Sequence, residues 1–345
     1  MQLPREVLIG KGVVPLVGET LTRLGYRGPV LVVTGRKVLS IAGDIVLESL
    51  RSAGFKSSTV IVESATTGQV SRVQREIRRT KSDIVVGVGG GKDIDVAKLS
   101  SRKSGKRFLS VPTAASHDGI ASPLVSMRGL NRPYSFLAHA PIAIVADISV
   151  IGKSPYRLIA SGCGDVVAKY TAVRDWKLAH RIKNEYYGDY AAELALMSSR
   201  LVMKNSNAIR AMTESGVRTL VEGLISCGVA MSIAGTSRPC SGAEHLFSHA
   251  LTIIAPKPAL HGEQCGVGTI ICAYLHGANW QLIKDVLHKI GAPTTAKELG
   301  IDPEYIVEAL TRAHAIRPER YTILGESGLT TEAAMRVAAV TGVID

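Results

Sequence analysis

Three of the nine histidines in this 345-residue chain fall between positions 245 and 261. They stand in Glu244-His245-Leu246-Phe247-Ser248-His249 and in Leu260-His261-Gly262-Glu263-Gln264-Cys265. His245 and His249, at i and i+4, share one face of a helix and can approach a single point. His261 is expected in a loop just before the next helix. Eighty residues before His245, Gly162-Cys163-Gly164-Asp165 leads into Val166-Val167-Ala168-Lys169. A carboxylate and two or three imidazoles from separate helices can hold a Zn²⁺-type ion and leave a position open for substrate. Each histidine alone fits a surface or satisfied core position equally well, and Asp165 alone fits a helix cap.

A second chemistry is written earlier in the chain. The apolar run Asp83–Val88 enters Gly89-Gly90-Gly91, followed by Lys92-Asp93-Ile94-Asp95-Val96-Ala97-Lys98. Glycines between a strand and a helix let the backbone approach a pyrophosphate, and the helix N-terminus adds amide donors and partial positive charge. A ligand-free turn does not require three glycines. The G-x-G-x-x-G fingerprint is absent from the first strand-helix turn, so the pattern is not the standard dinucleotide one. The stretch Val111–Pro123 is dense in hydroxyls and small residues and suits the lining of a cleft, although ordinary turns share that composition.

These groups need a scaffold. Up to about residue 150, short β-branched runs alternate with amphipathic segments. Val30–Thr34, Thr59–Glu63, Asp83–Val88, Phe108–Val111 and Ile142–Asp147 are expected as strands, and Ile41–Ala53 and Val70–Arg79 as helices. Alternation of this kind implies a parallel sheet covered by helices on both faces. Beyond Gly152-Lys153-Ser154-Pro155 the strand signals fade. Helical spacing then runs over Arg157–Ala179, Tyr187–Ala208, Ser215–Ala234, Gly242–Ile253, Glu263–His276, Gln281–Ile290, Pro303–Ala313 and Thr330–Val340. We expect an α/β Rossmann-like nucleotide-binding domain over 1–153 and an all-α metal- and substrate-binding domain over 154–345.

Composition narrows the partners. Hydrophobic residues at 46% and charged residues at 20% exclude a disordered or fibrous chain. Forty-one basic against 29 acidic side chains give +12, which favours anionic partners. Basic residues are scattered, the densest run (Arg72–Lys81) looks like one wet helix face, and aromatics are only 5%, so no nucleic-acid partner is expected. The five cysteines form no C-x-x-C and are expected as small buried thiols. No apolar run approaches the roughly 18 residues of a membrane span, Gly223–Gly235 being the longest candidate. The N-terminal residues lack a secretory pattern. A cytoplasmic homo-oligomer without membrane insertion is expected.

Five motifs together resemble the glycerol dehydrogenase/dehydroquinate synthase superfamily, in order and over nearly the whole chain. They are Gly89-Gly90-Gly91-x-x-x-Asp95-x-x-Lys98, Pro112-Thr113-x-x-Ser116, Gly164-Asp165-x-x-x-Lys169, Glu244-His245 and His261-Gly262-Glu263. Within that superfamily, Ser116-His117-Asp118-Gly119 and Ser241-Gly242-Ala243-Glu244-His245-x-x-Ser248-His249 are similar to the sn-glycerol-1-phosphate dehydrogenases. The resemblance implies a dehydroquinate synthase-like fold and an NAD(P)-dependent reduction of dihydroxyacetone phosphate to sn-glycerol 1-phosphate for archaeal-type membrane phospholipids.

The same resemblance implies residue roles. Asp165, His245 and His261 would hold Zn²⁺. Gly89, Gly90, Gly91, Lys92 and Asp93 would cradle the cofactor pyrophosphate, and Thr113, Ser116 and Ser122 would contact the cofactor. Asp118 and His249 would face the substrate and take part in catalysis, with Asp165 at the substrate as well. Dehydroquinate synthases carry glutamate where Asp165 stands, which argues against that branch. The turn Thr34-Gly35-Arg36-Lys37 has two cations and no acid, so NADP(H) is expected beside NAD(H), unless Glu63 faces the ribose. A glycerol dehydrogenase, or a non-catalytic protein binding a nucleotide or nucleic acid, remains an alternative at this point.

Overall fold

Strands that are apolar at every position are stable where both faces of their sheet are covered. The computed structural model describes residues 1–127 and 135–345, and it divides into two units, Met1–Pro155 and Tyr156–Asp345. The described strands of the first unit are β1 (Glu6–Gly10), β2 (Val30–Thr34), β3 (Ser57–Ile61), β4 (Ile84–Gly89), β5 (Arg107–Pro112), β6 (Leu124–Ser126), β7 (Ser135–Leu137) and β8 (Ala143–Asp147). Six of them form a parallel sheet in the order β1-β8-β5-β4-β2-β3, and β6 pairs antiparallel with β7.

Alternate side chains of β2, β4 and β5 feed two separate cores. Val30, Val32, Ile84 and Val86 pack with Val17, Leu21, Val46 and Leu50 on one face. Leu31, Val33, Val85 and Phe108 pack with Val73, Ile77, Ile94 and Ala97 on the other. The helix Thr67–Thr80 buries Val70, Val73 and Ile77 and exposes Arg72, Arg75, Arg78 and Arg79, the wet face expected of that basic run.

From β2 the chain moves outward to β3, then returns to β4 on the opposite side of β2. Strand order therefore reverses between β2 and β4, where Thr34 stands beside Val88. In open parallel sheets, ligands bind at the carboxyl ends of the strands flanking such a reversal. Here those ends are Gly35 and the Gly89-Gly90-Gly91 turn.

The second unit is helical, with no strand among its described residues. The expected Arg157–Ala179 helix is two, Tyr156–Val167 and Lys169–Lys183. Thr171 donates its amide to the Ala168 carbonyl at 3.1 Å, tightening the turn at the break. Tyr187–Ala208 likewise resolves into Asp189–Lys204 and Ser206–Arg210, with the Asn205 side chain capping Leu201 O at 2.8 Å. The helix Glu214–Ala234 is, among the described residues, the one long and apolar enough to cross a membrane, which corrects the expectation of no such run. Most of its apolar window, 61%, is buried inside the unit, where it packs on Asp189–Lys204.

Candidate active site

Two helices of the second unit meet backbone to backbone. A Cβ on Gly164 would lie 2.2 Å from the Gly262 carbonyl oxygen, and one on Gly262 would lie 1.8 Å from that of Ser161. Any larger residue would separate Tyr156–Val167 from His261–Leu275. Asp165 and His261 are the immediate neighbours of these glycines, so the crossing brings a carboxylate and an imidazole to one place. His261 is the first residue of its helix rather than part of a preceding loop. That helix start is fixed by Glu263, which accepts the Leu260 amide (2.9 Å) and receives Arg157 through two bonds of 2.6 and 2.7 Å.

The helix Ala243–Ile254 supplies His245 and His249. His245 Nε2 lies 3.4 Å from Asp165 Oδ1, and its Nδ1 lies 2.8 Å from Glu244 Oε1. Glu244 is itself held by the Gly242 amide (2.6 Å) and the Thr171 hydroxyl (2.8 Å). His261 packs edge-on against His245 with ring centroids 5.0 Å apart, and tilted against His249 at 5.8 Å. Its Nδ1 lies 3.2 Å from Ser248 Oγ, and Cys265 Sγ lies 3.5 Å from its Nε2. Lys169 Nζ donates to Asp165 Oδ1 at 2.6 Å. His245, His261 and Cys265 offer donor atoms that all lie within 4.8 Å of one another.

Charge separation among these buried groups is strong. Burial pushes the Asp165 carboxyl up, but the Lys169 ammonium and the His245 imidazole outweigh it and hold the acid well below its ordinary range. Burial would lower His245, yet Cys265, Asp165 and Glu244 together raise it well above the usual value, and His261 is raised by the same thiol. Cys265, which burial alone would push up, falls to about 6 beside the two imidazoles. His249 goes the other way: burial, then the positive charge of His261, His245, Arg317 and Arg320, holds it well below the histidine range.

The donor set fits a divalent transition ion. Two imidazoles, a carboxylate and a thiol are of the ligand types zinc takes, and the Glu244 contact to His245 Nδ1 leaves Nε2 for coordination. The cluster holds Asp165, His245 and His261 from the expected ligands, with His249 beside them, and adds Cys265 and Glu244. Cys265 was legible as the residue one helical turn after His261. All five cysteines are free and buried as expected, and at Cys265 the sulfur also faces imidazole nitrogens.

In the first unit the glycine turn opens the helix Gly91–Lys103. Gly89 has φ +151°, and a Cβ there would meet the Asp93 carboxylate at 2.2 Å, so only glycine lets the turn close over that acid. Asp93 is buried, raised by burial, and paired at 3.4 Å with Lys92, whose ammonium also reaches the Val62 carbonyl at 3.0 Å. The Thr113 amide donates to Gly89 O at 3.0 Å, joining the hydroxyl-rich loop to the glycine turn.

That loop is tied down from below. Fully buried Lys98 donates to three carbonyls, Gly119 (2.6 Å), Ser122 (2.8 Å) and Leu124 (2.8 Å), and burial brings its ammonium down to about 8. Asp118 and Ser122 lie in the clamped segment, with the Ser122 amide donating to Asp118 O at 3.0 Å. Ser116 stands just before it. The first unit thus gathers Gly89–Asp93, Thr113, Ser116, Asp118 and Ser122 near the strand reversal, and the second unit gathers Asp165, His245, His249 and His261.

Residues 8–155 match the family model for iron-containing alcohol dehydrogenases. Over 344 residues the chain is 55% identical to the glycerol-1-phosphate dehydrogenase (NAD(P)+) of Methanothermobacter thermautotrophicus, covering 100% of this chain and 99% of that protein. It is 56% identical to the protein of the same name from Pyrococcus furiosus, with the same coverage. Among solved structures it is similar to a probable glycerol dehydrogenase from Sinorhizobium meliloti, with a TM-score of 0.79 at 20% identity over 99% of this chain and 97% of that one. A glycerol dehydrogenase from Schizosaccharomyces pombe gives 0.80 at 19% identity over 99% and 90%. These two show the fold. Identity of this extent, along the full length of proteins sharing one name, assigns the chain to the glycerol-1-phosphate dehydrogenase (NAD(P)+) family.

Proposed function

We propose that this protein reduces dihydroxyacetone phosphate to sn-glycerol 1-phosphate with NADH or NADPH, as a cytoplasmic homo-oligomer that loads Zn²⁺. The observation that carries the proposal is the buried Asp165–His245–His261 cluster with His249 beside it, in a chain 55% identical to proteins of that name. Asp165, His245 and His261 would hold the ion, and Gly89–Asp93 with Thr113, Ser116 and Ser122 would hold the cofactor. Bound zinc polarises a ketone as a Lewis acid, and reduced nicotinamide supplies a hydride.

The chain's own residues do the rest. Glu244 keeps His245 Nδ1 occupied and so leaves Nε2 as the nitrogen that would hold the ion. The Lys98 clamp holds the Asp118–Ser122 turn in one conformation. Ketone reduction consumes a proton as well as a hydride. His249, kept neutral by its surroundings, suits a relay that donates from one ring nitrogen while accepting at the other. Asp118 would orient the substrate hydroxyl.

The test is a nicotinamide absorbance assay on purified protein with dihydroxyacetone phosphate, with and without chelator. Turnover with the phosphate that chelation abolishes and zinc restores is the expected result. Turnover of glycerol but not of the phosphate ester would transfer the protein to glycerol dehydrogenase chemistry. Failure both to oxidise NAD(P)H with dihydroxyacetone phosphate and to reduce NAD(P)+ with glycerol in zinc-replete protein would overturn the enzymatic proposal.

A further inference from the structure

The 3₁₀ turn Ala313–Ile316 packs against the Ala243–Ile254 helix that carries His245 and His249. The chain then runs through Arg317-Pro318-Glu319-Arg320, closed by the Arg320 amide donating to Arg317 O at 2.9 Å. Arg320 turns back to the start of the histidine helix, donating to Ser241 O at 2.6 Å and Ser237 Oγ at 2.7 Å. A third guanidinium, Arg238, is buried beside it. Arg238 is neutralised by Glu185 (Nε to Oε1 2.7 Å) and braces the segment through Tyr321 O at 2.8 Å.

Charge does not balance here. Among the described residues, Arg320 has neutral oxygens as its partners and no carboxylate at ion-pair distance, and Arg317 is half-buried with no side-chain partner at all. Both bear on His249 with positive charge, and Arg317 also bears on Arg320. Burial, followed by the repulsion of Arg317 and Arg238, brings Arg320 down to about 9. Partly buried cations left without counter-charge are costly, and a fold retains them where an anion comes and goes. Three guanidiniums stand here against two carboxylates, Glu185 on Arg238 and the exposed Glu319, which leaves a net positive charge, and the planar forks of Arg317 and Arg320 suit the oxygens of a phosphate monoester.

We propose that Arg317 and Arg320 form the subsite for the phosphate group of a phosphorylated ketone, with Arg317 the contact that sorts phosphorylated from unphosphorylated substrate. Arg320 binds with one face and holds the segment to Ser237 and Ser241 with the other. This deepens the functional proposal above and rests on it for the identity of the ester, while the anion site itself stands on the residues just described.

Arg317→Gln is the discriminating variant, because a side chain without protein partners can be replaced without disturbing the fold. Loss of a charge-assisted contact should raise KM for dihydroxyacetone phosphate about tenfold or more. That rise should exceed the rise for unphosphorylated dihydroxyacetone by about the same factor, and Arg317→Lys should recover part of it. Arg200→Gln, which removes an exposed charge on Asp189–Lys204, should leave KM unaltered and so controls for net charge. Inorganic phosphate titrated calorimetrically into the zinc-loaded protein should bind wild type and bind the variant more weakly. Equal phosphate binding by both proteins, or a KM for NADH that rises as much as that for the ester, overturns the subsite. Wild-type protein that binds phosphate in an Arg317-dependent way but never turns over the ester upholds the subsite and overturns the functional proposal instead.

Discussion

Glu244 Oε1 lies 2.8 Å from Nδ1 of His245, and both side chains are buried on the same helix turn. A carboxylate behind a metal-facing imidazole fixes its tautomer and strengthens it as a ligand. Glu244→Gln keeps the size and the Gly242 contact, makes the Thr171 hydroxyl an acceptor instead of a donor, and removes the charge. We expect a folded protein whose zinc affinity, measured by competition with a chromophoric chelator, falls about 10–100-fold.

Metal uptake should release protons. Without metal, His245 and His261 hold their protons above the ordinary histidine range, because the Cys265 thiol has dropped to about 6 and sits against them as an anion. An imidazole must be neutral to bind an ion, so affinity rises with pH through the raised histidine values and falls as pH drops below them. Calorimetric zinc titration in buffers of different ionisation enthalpy should give apparent enthalpies that track the buffer. Buffer-independent values would contradict the proton count.

His249→Ala should retain stoichiometric zinc and a native unfolding transition while turnover falls about a hundredfold, the usual scale for losing a proton-transfer group. A mainly raised KM would mark His249 as a binding group. Near-normal kinetics in zinc-replete protein would remove it from the site.

Cofactor choice should respond to the turn after β2. Arg36 and Lys37 are exposed at the strand reversal, immediately beyond Gly35, and nothing acidic stands in the turn itself. Charge removal in the double variant Arg36→Ala/Lys37→Ala should raise KM for NADPH more than for NADH, since a 2′-phosphate loses its counter-charge. Equal effects on the two cofactors would refute the assignment. Asp93 stands close by, 3.2 Å from where a Gly35 Cβ would be, and its pairing with Lys92 keeps that acid from acting as an unopposed negative charge on the phosphate.

Lys98→Met should strand three carbonyls, of Gly119, Ser122 and Leu124, in a dry interior. The expected cost is about 3 kcal/mol or more in denaturant unfolding, with weakened cofactor binding in the protein that still folds.

The central strands were legible because they are apolar on both faces, as Val30–Thr34 and Ile84–Gly89 show. Glu6–Gly10 was not, since an edge strand of four half-buried residues and one exposed residue lacks that run. The i, i+4 spacing of His245 and His249, with His261 close behind, made the histidine cluster legible. Cys265, one helical turn after His261, was legible as a neighbour of that imidazole, but its approach to His245 needs one helix to lie against another. The breaks at Ala168 and Asn205 came from local hydrogen bonds to carbonyls, which leave no trace in hydrophobic periodicity. The unpartnered Arg317 was invisible among 41 basic residues for the same reason: absence of a partner is a spatial property.

The crossing at Gly164 and Gly262 makes ligand spacing a mechanical quantity. Neither glycine has a side-chain ligand atom to offer, yet each sets how far apart Asp165 and His261 are carried. A single methyl at Gly262 would act as a wedge between the two backbones, and overpacking of this kind typically costs about 1–3 kcal/mol. Its clearest symptom would be a widened, metal-poor site in a protein still folded. Zinc content thus becomes a ruler for helix separation, and drift toward larger residues at these two positions is closed by coordination chemistry as well as by packing.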